Sequence, residues 1–199
     1  MKLCTFQGTF NPIHNAHLQM AEYVSENFYF DKILFIPAAC PPHKECDQNL
    51  SRHRLEMVKI AIKNNKKFDV SDIEFLLPRP SYTYNTVLEL YKKYDISDKI
   101  GFIIGEDAFL NILTWYKTDK LKELVNFIVF KRSNDFENNK FNFLKELGYN
   151  YQIANLNFVD ESSTNIRYII KNRFSDYYKK IMIDKEVEKY IEKYDLYKN

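Results

Sequence analysis

Two histidines three residues apart, His14 and His17, lie in the run Gly8-Thr9-Phe10-Asn11-Pro12-Ile13-His14-Asn15-Ala16-His17. At a helix start that spacing puts both rings on one face. A helix start already attracts phosphate through free N–H groups and the helix dipole, and two imidazoles would add donors for its oxygens. The same spacing also suits a surface pair or a fragment of a metal site. Gly8 gives a sharp turn and close backbone access for a ligand, while Asn11-Pro12 is a turn signal leading into the helix. Two cations fit the same chemistry. Lys44 follows Pro41-Pro42-His43, where its charge can reach a triphosphate or rest in solvent. Arg167 follows Ser162, Ser163 and Thr164, and the serines read as a helix N-cap whose free N–H groups could hold phosphates that Arg167 faces. Asp107, just past Gly105, could cap a helix or line a nucleotide pocket. Trp115 is the only tryptophan, and its ordinary reading is a half-buried core residue. Arg132 suits a phosphate contact and a surface role equally. The sequence suggests no Ser/His/Asp or Cys/His nucleophile. The chemistry indicated is phosphoryl-type transfer, which needs positioning and charge neutralisation more than covalent help.

These residues must be carried by alternating strands and helices. Lys2–Gln7 reads as a strand stopped by Gly8. Asn15–Asn27 reads as a helix with Leu18, Ala21, Val24 and Phe28 on one face. Lys32–Ile36 is a second strand ended by Pro37, and Ala38–Leu50 an exposed loop. Ser51 is a candidate N-cap for a helix on which Leu55, Val58 and Ile62 align. Asp69–Leu77 suggests a third strand, and Tyr84–Tyr94 a helix. The apolar Ile100–Ile104 reads as a strand buried on both faces, left tightly through Gly105 into a helix near Glu106. Asn126–Phe130 and Gln152–Leu156 complete the strands. Helices are expected at Asn142–Leu147, Thr164–Lys171 and Asp184–Lys193. This alternation implies an α/β fold, a Rossmann-like doubly wound parallel sheet with helices on both faces and a small C-terminal helical segment over about 162–199. The 199 residues suit one domain. Ligands of such sheets bind beyond the carboxyl ends of the strands, where the motif residues fall.

With 29 basic and 27 acidic residues the net charge is only +2, which argues against a nucleic-acid binder. No apolar run is long enough to span a membrane. The first residues lack the apolar core of a signal peptide. Three cysteines without a CxxC pair argue against a disulfide framework or cysteine zinc site, and fit a reducing, cytoplasmic setting. A monomer and a homo-oligomer both remain open.

The run Gly8 to His17 resembles the GTFDPxHxGH signature of bacterial nicotinate mononucleotide adenylyltransferases, within the nucleotidyltransferase superfamily. Further matches follow in family order. Pro41-Pro42-His43-Lys44 resembles PPHK, and His53-Arg54-Leu55-Glu56-Met57 resembles HRxxM. Ser81-Tyr82-Thr83 is similar to SYT, and Gly105-Glu106-Asp107 with Trp115 to GxD…W. Ser162 to Arg167 resembles SSTxIR, and Val187 to Tyr197 the closing VxxYI…LY helix. Two departures are visible: Asn11 stands where the family has Asp and can still cap a turn but carries no charge, and Ala16 stands where it has Gly, a methyl expected to be tolerated. The resemblance implies adenylyl transfer from ATP to nicotinate mononucleotide, with Mg²⁺ delivered on ATP. It implies that His14, His17, Lys44 and Arg167 act on the phosphates, His17 nearest the transferring group. The nucleotide pocket would draw on Gly8, Thr9, Phe10, Gly105, Asp107, Ser162, Ser163 and Thr164. Substrate would be held by Lys44 and by Ser81, Tyr82 and Thr83. Trp115 would stack on the pyridine ring, and Thr83 with the Tyr116 backbone would hold the carboxylate. His43, His53 and Arg54 are expected to be mainly structural. The histidine motif by itself leaves other acceptors open, nicotinamide mononucleotide or phosphopantetheine, and also a non-catalytic nucleotide sensor.

Overall fold

The computed structural model describes residues 1–40, 47–131, 138–156, 162–172 and 182–198. Six strands, β1 (Leu3–Gly8), β2 (Lys32–Pro37), β3 (Phe68–Val70), β4 (Ile100–Gly105), β5 (Val125–Phe130) and β6 (Tyr151–Ala154), form one sheet in the order β3-β2-β1-β4-β5-β6. Every neighbouring pair is parallel. The order reverses at β1, which lies between β2 and β4, so the carboxyl ends of β1 and β4 flank the crevice such sheets use for ligands.

Successive strand residues point to opposite faces, and here they feed two cores. Cys4, Phe6, Ile33, Phe35, Ile103, Ile128 and Phe130 enter one. Helices α1 (Asn15–Asn27), α2 (Gln48–Ile62), α8 (Ser163–Lys171) and α9 (Lys185–Lys193) cover it, through Val24, Val58, Ile166 and Val187 among others. Leu34, Ile36, Ile100, Phe102, Ile104, Phe127 and Val129 enter the other. It is closed by α3 (Ile73–Leu76), α4 (Thr83–Lys93), α5 (Glu106–Leu110), α6 (Thr118–Leu121) and α7 (Asn142–Glu146), with 3-10 turns at Ile112–Thr114 and Asn138–Phe141. The doubly wound α/β fold is the one the alternation of elements implies.

Four local expectations need correction. The third strand ends at Val70, and Ile73–Leu76 is a short helix. The hydroxyl of Ser71 takes the Ile73 N–H at 3.2 Å, turning the chain into helix. Helix α2 starts earlier than Ser51, because an Asp47 carboxylate oxygen accepts from the N–H groups of Asn49 and Leu50 at 2.9 and 3.0 Å. Ser51 is buried within that helix, its backbone N–H donating to the Asp47 carbonyl. On its inner face Met57 is fully buried and Leu55 only partly so. Gly105 leaves β4 with φ −76°, which any residue adopts. Its lack of a side chain is therefore not required by the turn. No helix among the described residues is long and apolar enough to cross a membrane.

Candidate active site

The loop between β1 and α1 is shaped by its own aromatic ring. Phe10 has φ 47°, in the left-handed region, and its side chain is buried. A Cβ on Gly8 would lie 2.9 Å from the Phe10 ring, so glycine is what lets that ring fold back. The loop's acceptors are taken by groups from far along the chain. The Thr9 carbonyl accepts from Arg54 Nη1 at 2.6 Å, and the Asn11 carbonyl from Arg167 Nη1 at 2.8 Å. The Pro12 carbonyl accepts from the Ser163 hydroxyl at 3.0 Å, and Asn11 Oδ1 from the Tyr197 hydroxyl at 2.7 Å. Two guanidinium groups thus converge on one turn of four residues.

His14 precedes α1 in extended conformation and is buried. The rings of His14 and His17 stack with centroids 3.7 Å apart and planes tilted by 31°. The edge of His17 meets Phe10 at 5.0 Å and Phe6 at 5.8 Å. The His14 backbone N–H donates to His17 Nδ1 at 3.3 Å. That bond requires Nδ1 to be the acceptor, so the proton of the neutral ring sits on Nε2, which is left as a donor. Burial, and then the neighbouring His14, push the His17 pKa well below its ordinary value of 6.5. His17 is therefore a neutral N–H donor at physiological pH.

Helix α8 faces the same loop. Ser162 caps it by accepting from the Asn165 N–H at 3.1 Å. Ser163, expected to share that cap, instead bonds Pro12. Arg167 Nη2 reaches the Thr164 hydroxyl at 3.2 Å, so the guanidinium spans from its own helix to the β1 loop. At Gly105, leaving aside its own chain neighbours, no atom of the described residues lies within 4 Å of where a Cβ would be. Asp107 is exposed in the first turn of α5.

A second cluster is built around a carboxyl that the motifs do not include. Glu74 is only 3% exposed. It accepts from the Ala39 N–H at 3.3 Å and the Thr86 hydroxyl at 3.2 Å. Burial raises its pKa, against the lowering effects of Ser81, Ala39, Thr86 and the charge of Arg54. Ser81 is buried and exchanges bonds with Cys40, so the loop before α4 is tied to the exit of β2. Next to it, Tyr82 stacks on Tyr116 at 4.5 Å, and Thr83 begins α4. Trp115 is partly buried, with its edge on Phe102 at 6.2 Å. Lys117 lies over the rings of Tyr116 and Tyr84 at 4.9 and 5.3 Å.

The structure therefore brings His14, His17, Ser163 and Arg167 to one loop, and Ser81, Tyr82 and Tyr116 to a neighbouring one. His43, Lys44 and Arg132 lie outside the described residues. Arg54, only 4% exposed, braces the Thr9 carbonyl, and His53 Nδ1 pairs with the Tyr190 hydroxyl at 3.0 Å. Sequence reasoning missed Glu74 and the Tyr197 hydroxyl as parts of the site. A carboxylate inside the apolar run Ile73-Glu74-Phe75-Leu76 was the one signal that could have flagged the first. Among the described residues, no three of His, Cys, Asp and Glu come together to hold a metal ion.

Comparisons with known proteins identify the family and the fold. The model of the family described as cytidylyltransferase-like matches residues 5–169. The nicotinate-nucleotide adenylyltransferase of Bacillus subtilis strain 168 is 38% identical over 199 residues, covering 100% of this chain and 99% of that protein. A Caldicellulosiruptor saccharolyticus protein named as a probable enzyme of the same kind is 36% identical over all of both chains. In fold, the chain is similar to the Plasmodium falciparum nicotinic acid mononucleotide adenylyltransferase complexed with NaAD. That match has a TM-score of 0.80, 23% identity, and coverage of 98% of this chain and 97% of that one.

Proposed function

The chain belongs to the cytidylyltransferase-like family and, within it, to the nicotinate-nucleotide adenylyltransferases, and from that premise we propose how its own residues perform the reaction. The protein transfers the adenylyl group of ATP to nicotinate mononucleotide, releasing pyrophosphate and forming nicotinate adenine dinucleotide for NAD biosynthesis. The observation that carries the residue roles is the convergence of the stacked His14 and His17 with Arg167 on the Gly8–His17 loop.

In the reaction, a phosphate oxygen of the mononucleotide attacks the α-phosphorus of ATP as the bond to the pyrophosphate oxygen breaks. Negative charge grows on the leaving pyrophosphate and on the α-phosphoryl oxygens. Preorganised donors lower that barrier because they need no rearrangement as charge develops. His17 Nε2–H, fixed in its tautomer by the His14 N–H, is such a donor to the transferring group, with His14 orienting phosphate beside it. Arg167 offsets charge on the β and γ phosphates, and Lys44 joins it. Gly8, Thr9, Phe10, Gly105, Asp107, Ser162, Ser163 and Thr164 form the nucleotide pocket. The open space over Gly105 supports close approach of ATP there. Mg²⁺ would enter bound to ATP, held by its phosphates and water, and would offset charge on the triphosphate.

On the acceptor side Ser81, Tyr82, Thr83, Trp115 and Tyr116 hold the mononucleotide. Trp115 stacks on the pyridine ring, while Thr83 and the Tyr116 N–H hold the carboxylate. The partial exposure of Trp115 supports this, since the indole packs on Phe102 without being fully buried. The test is pyrophosphate release with MgATP and, in parallel, nicotinate mononucleotide, nicotinamide mononucleotide or phosphopantetheine. Nicotinate mononucleotide is expected to give the highest kcat/KM, and equal or faster turnover of either other acceptor would overturn the acceptor assignment.

A further inference from the structure

We propose that Tyr197 is a positioning residue for the phosphate side of the site, acting through the Asn11 side chain on the loop that holds Arg167. The inference rests on the adenylyl-transfer reading above. Asn11 is gripped twice, its carbonyl by Arg167 at 2.8 Å and its amide oxygen by the Tyr197 hydroxyl at 2.7 Å. The two partners approach from opposite ends of the C-terminal region, one from α8 and one from the turn after α9. Any shift of Asn11 moves the carbonyl on which the guanidinium rests.

The turn bearing Tyr197 is specialised. Asp195 and Tyr197 have φ of 52° and 67°, left-handed values for residues that have a Cβ. Such residues persist where their surroundings over-determine them. Here the Leu196 N–H bonds the Ile191 carbonyl at 3.1 Å, and the Leu196 and Tyr197 side chains pack on the core beneath α1, α2 and α9. The Tyr197 hydroxyl is thereby delivered to Asn11. Burial raises its pKa, so it stays a protonated donor, although the charges of Arg54 and Arg167 oppose that rise. Both guanidinium groups therefore lie near enough to this hydroxyl for their charge to be felt there.

The Asn11 amide oxygen is a neutral acceptor and forms no ion pair with either guanidinium, so its side chain is fixed by the Tyr197 hydroxyl that donates to it. Arg167 then keeps its charge for the phosphates. A carboxylate at the same position could also grip a guanidinium directly and would depend less on Tyr197.

The experiment compares four full-length proteins: wild type, Tyr197→Phe, Asn11→Asp and the double variant, each checked for folding by its melting temperature. In the wild-type background, Tyr197→Phe is expected to lower kcat/KM for ATP about tenfold while KM for nicotinate mononucleotide stays within about twofold. In the Asn11→Asp background, the same change is expected to cost less than about threefold, the non-additivity expected of residues acting as a unit. Unchanged kcat/KM for ATP, equal losses in both backgrounds, or a parallel loss on the nicotinate mononucleotide side would overturn the proposal. Should wild type turn over no acceptor, the functional reading fails on its own. The positioning role is then read from calorimetric affinity for pyrophosphate, expected to weaken with Tyr197→Phe in the wild-type background and not in the Asn11→Asp background. Equal affinity of wild type and Tyr197→Phe would overturn it.

Discussion

A single hydrogen bond decides what His17 can do. The His14 N–H occupies Nδ1, so the ring can offer only Nε2–H, and burial keeps it neutral. A neutral donor stabilises charge that appears in the transition state without binding the ground-state triphosphate as tightly as a cation would. His17→Ala is therefore expected to cut kcat by about 10²–10³, the usual effect of removing one such donor, with ATP affinity changed only severalfold. Single-turnover kinetics beside equilibrium ATP binding separate the two, and a loss seen mainly in affinity would contradict this role. The depressed pKa also has a consequence for stability. Below its ordinary pKa of 6.5 the unfolded chain protonates this ring while the folded chain does not. The unfolded state then binds more protons, so stability is full above that value and falls as pH drops beneath it. His17→Asn removes this component, so denaturant titrations should show wild type losing more stability than the variant as pH falls below 6.5. Parallel curves would mean that the ring protonates in the folded state.

Elements were legible wherever one apolar run served one strand or one helix face. The bounds of α1 follow from its spacing, and the apolar stretch of β4 could only be buried on both sides. The run after Val70 misled because Ile73, Phe75 and Leu76 carry strand-like residues into a helix too short to show a period. The site was legible in part for a similar reason. His14, His17 and Asn11 are neighbours in sequence, whereas the groups bracing them lie far off: Arg54 is 45 residues from Thr9, and Tyr197 is 186 from Asn11. Glu74 sits 35 residues from Ala39, and no local pattern announces that contact. It joins α3 to the exit of β2 and to α4, so its removal tests the element scale directly. Glu74→Ala leaves the Ala39 N–H and the Thr86 hydroxyl buried without this acceptor, costing about 1–3 kcal/mol. For a chain of this size each kcal/mol lowers Tm by about 2–4 °C. Because Ser81 is tied into the same cluster, KM for nicotinate mononucleotide should rise more than KM for ATP. Equal rises would show that the carboxyl supports the whole crevice and not its acceptor wall.

At the scale of the molecule, the sheet reverses its strand order at β1, and the crevice so created is lined by segments that the sequence keeps apart. The Gly8–His17 loop is stitched to α8 by Arg167–Asn11 and Ser163–Pro12, so a ligand that orders the loop is expected to order the start of the helix with it. A ligand that contacts only the folded arrangement stabilises it by mass action, about 2.7 kcal/mol at a hundred times its Kd. With about 2–4 °C per kcal/mol for a domain of this size, saturating MgATP should raise Tm by about 5–10 °C. Arg167→Ala should shrink that rise at the same ATP concentration, since the guanidinium is proposed to meet the phosphates. Hydrogen exchange locates the effect. Residues 8–14 and 163–167 should slow together on adding MgATP, although the sequence places them far apart. Slowing confined to one of the two segments would mean that ATP engages the loop or the helix alone, and that the two do not share one phosphate site.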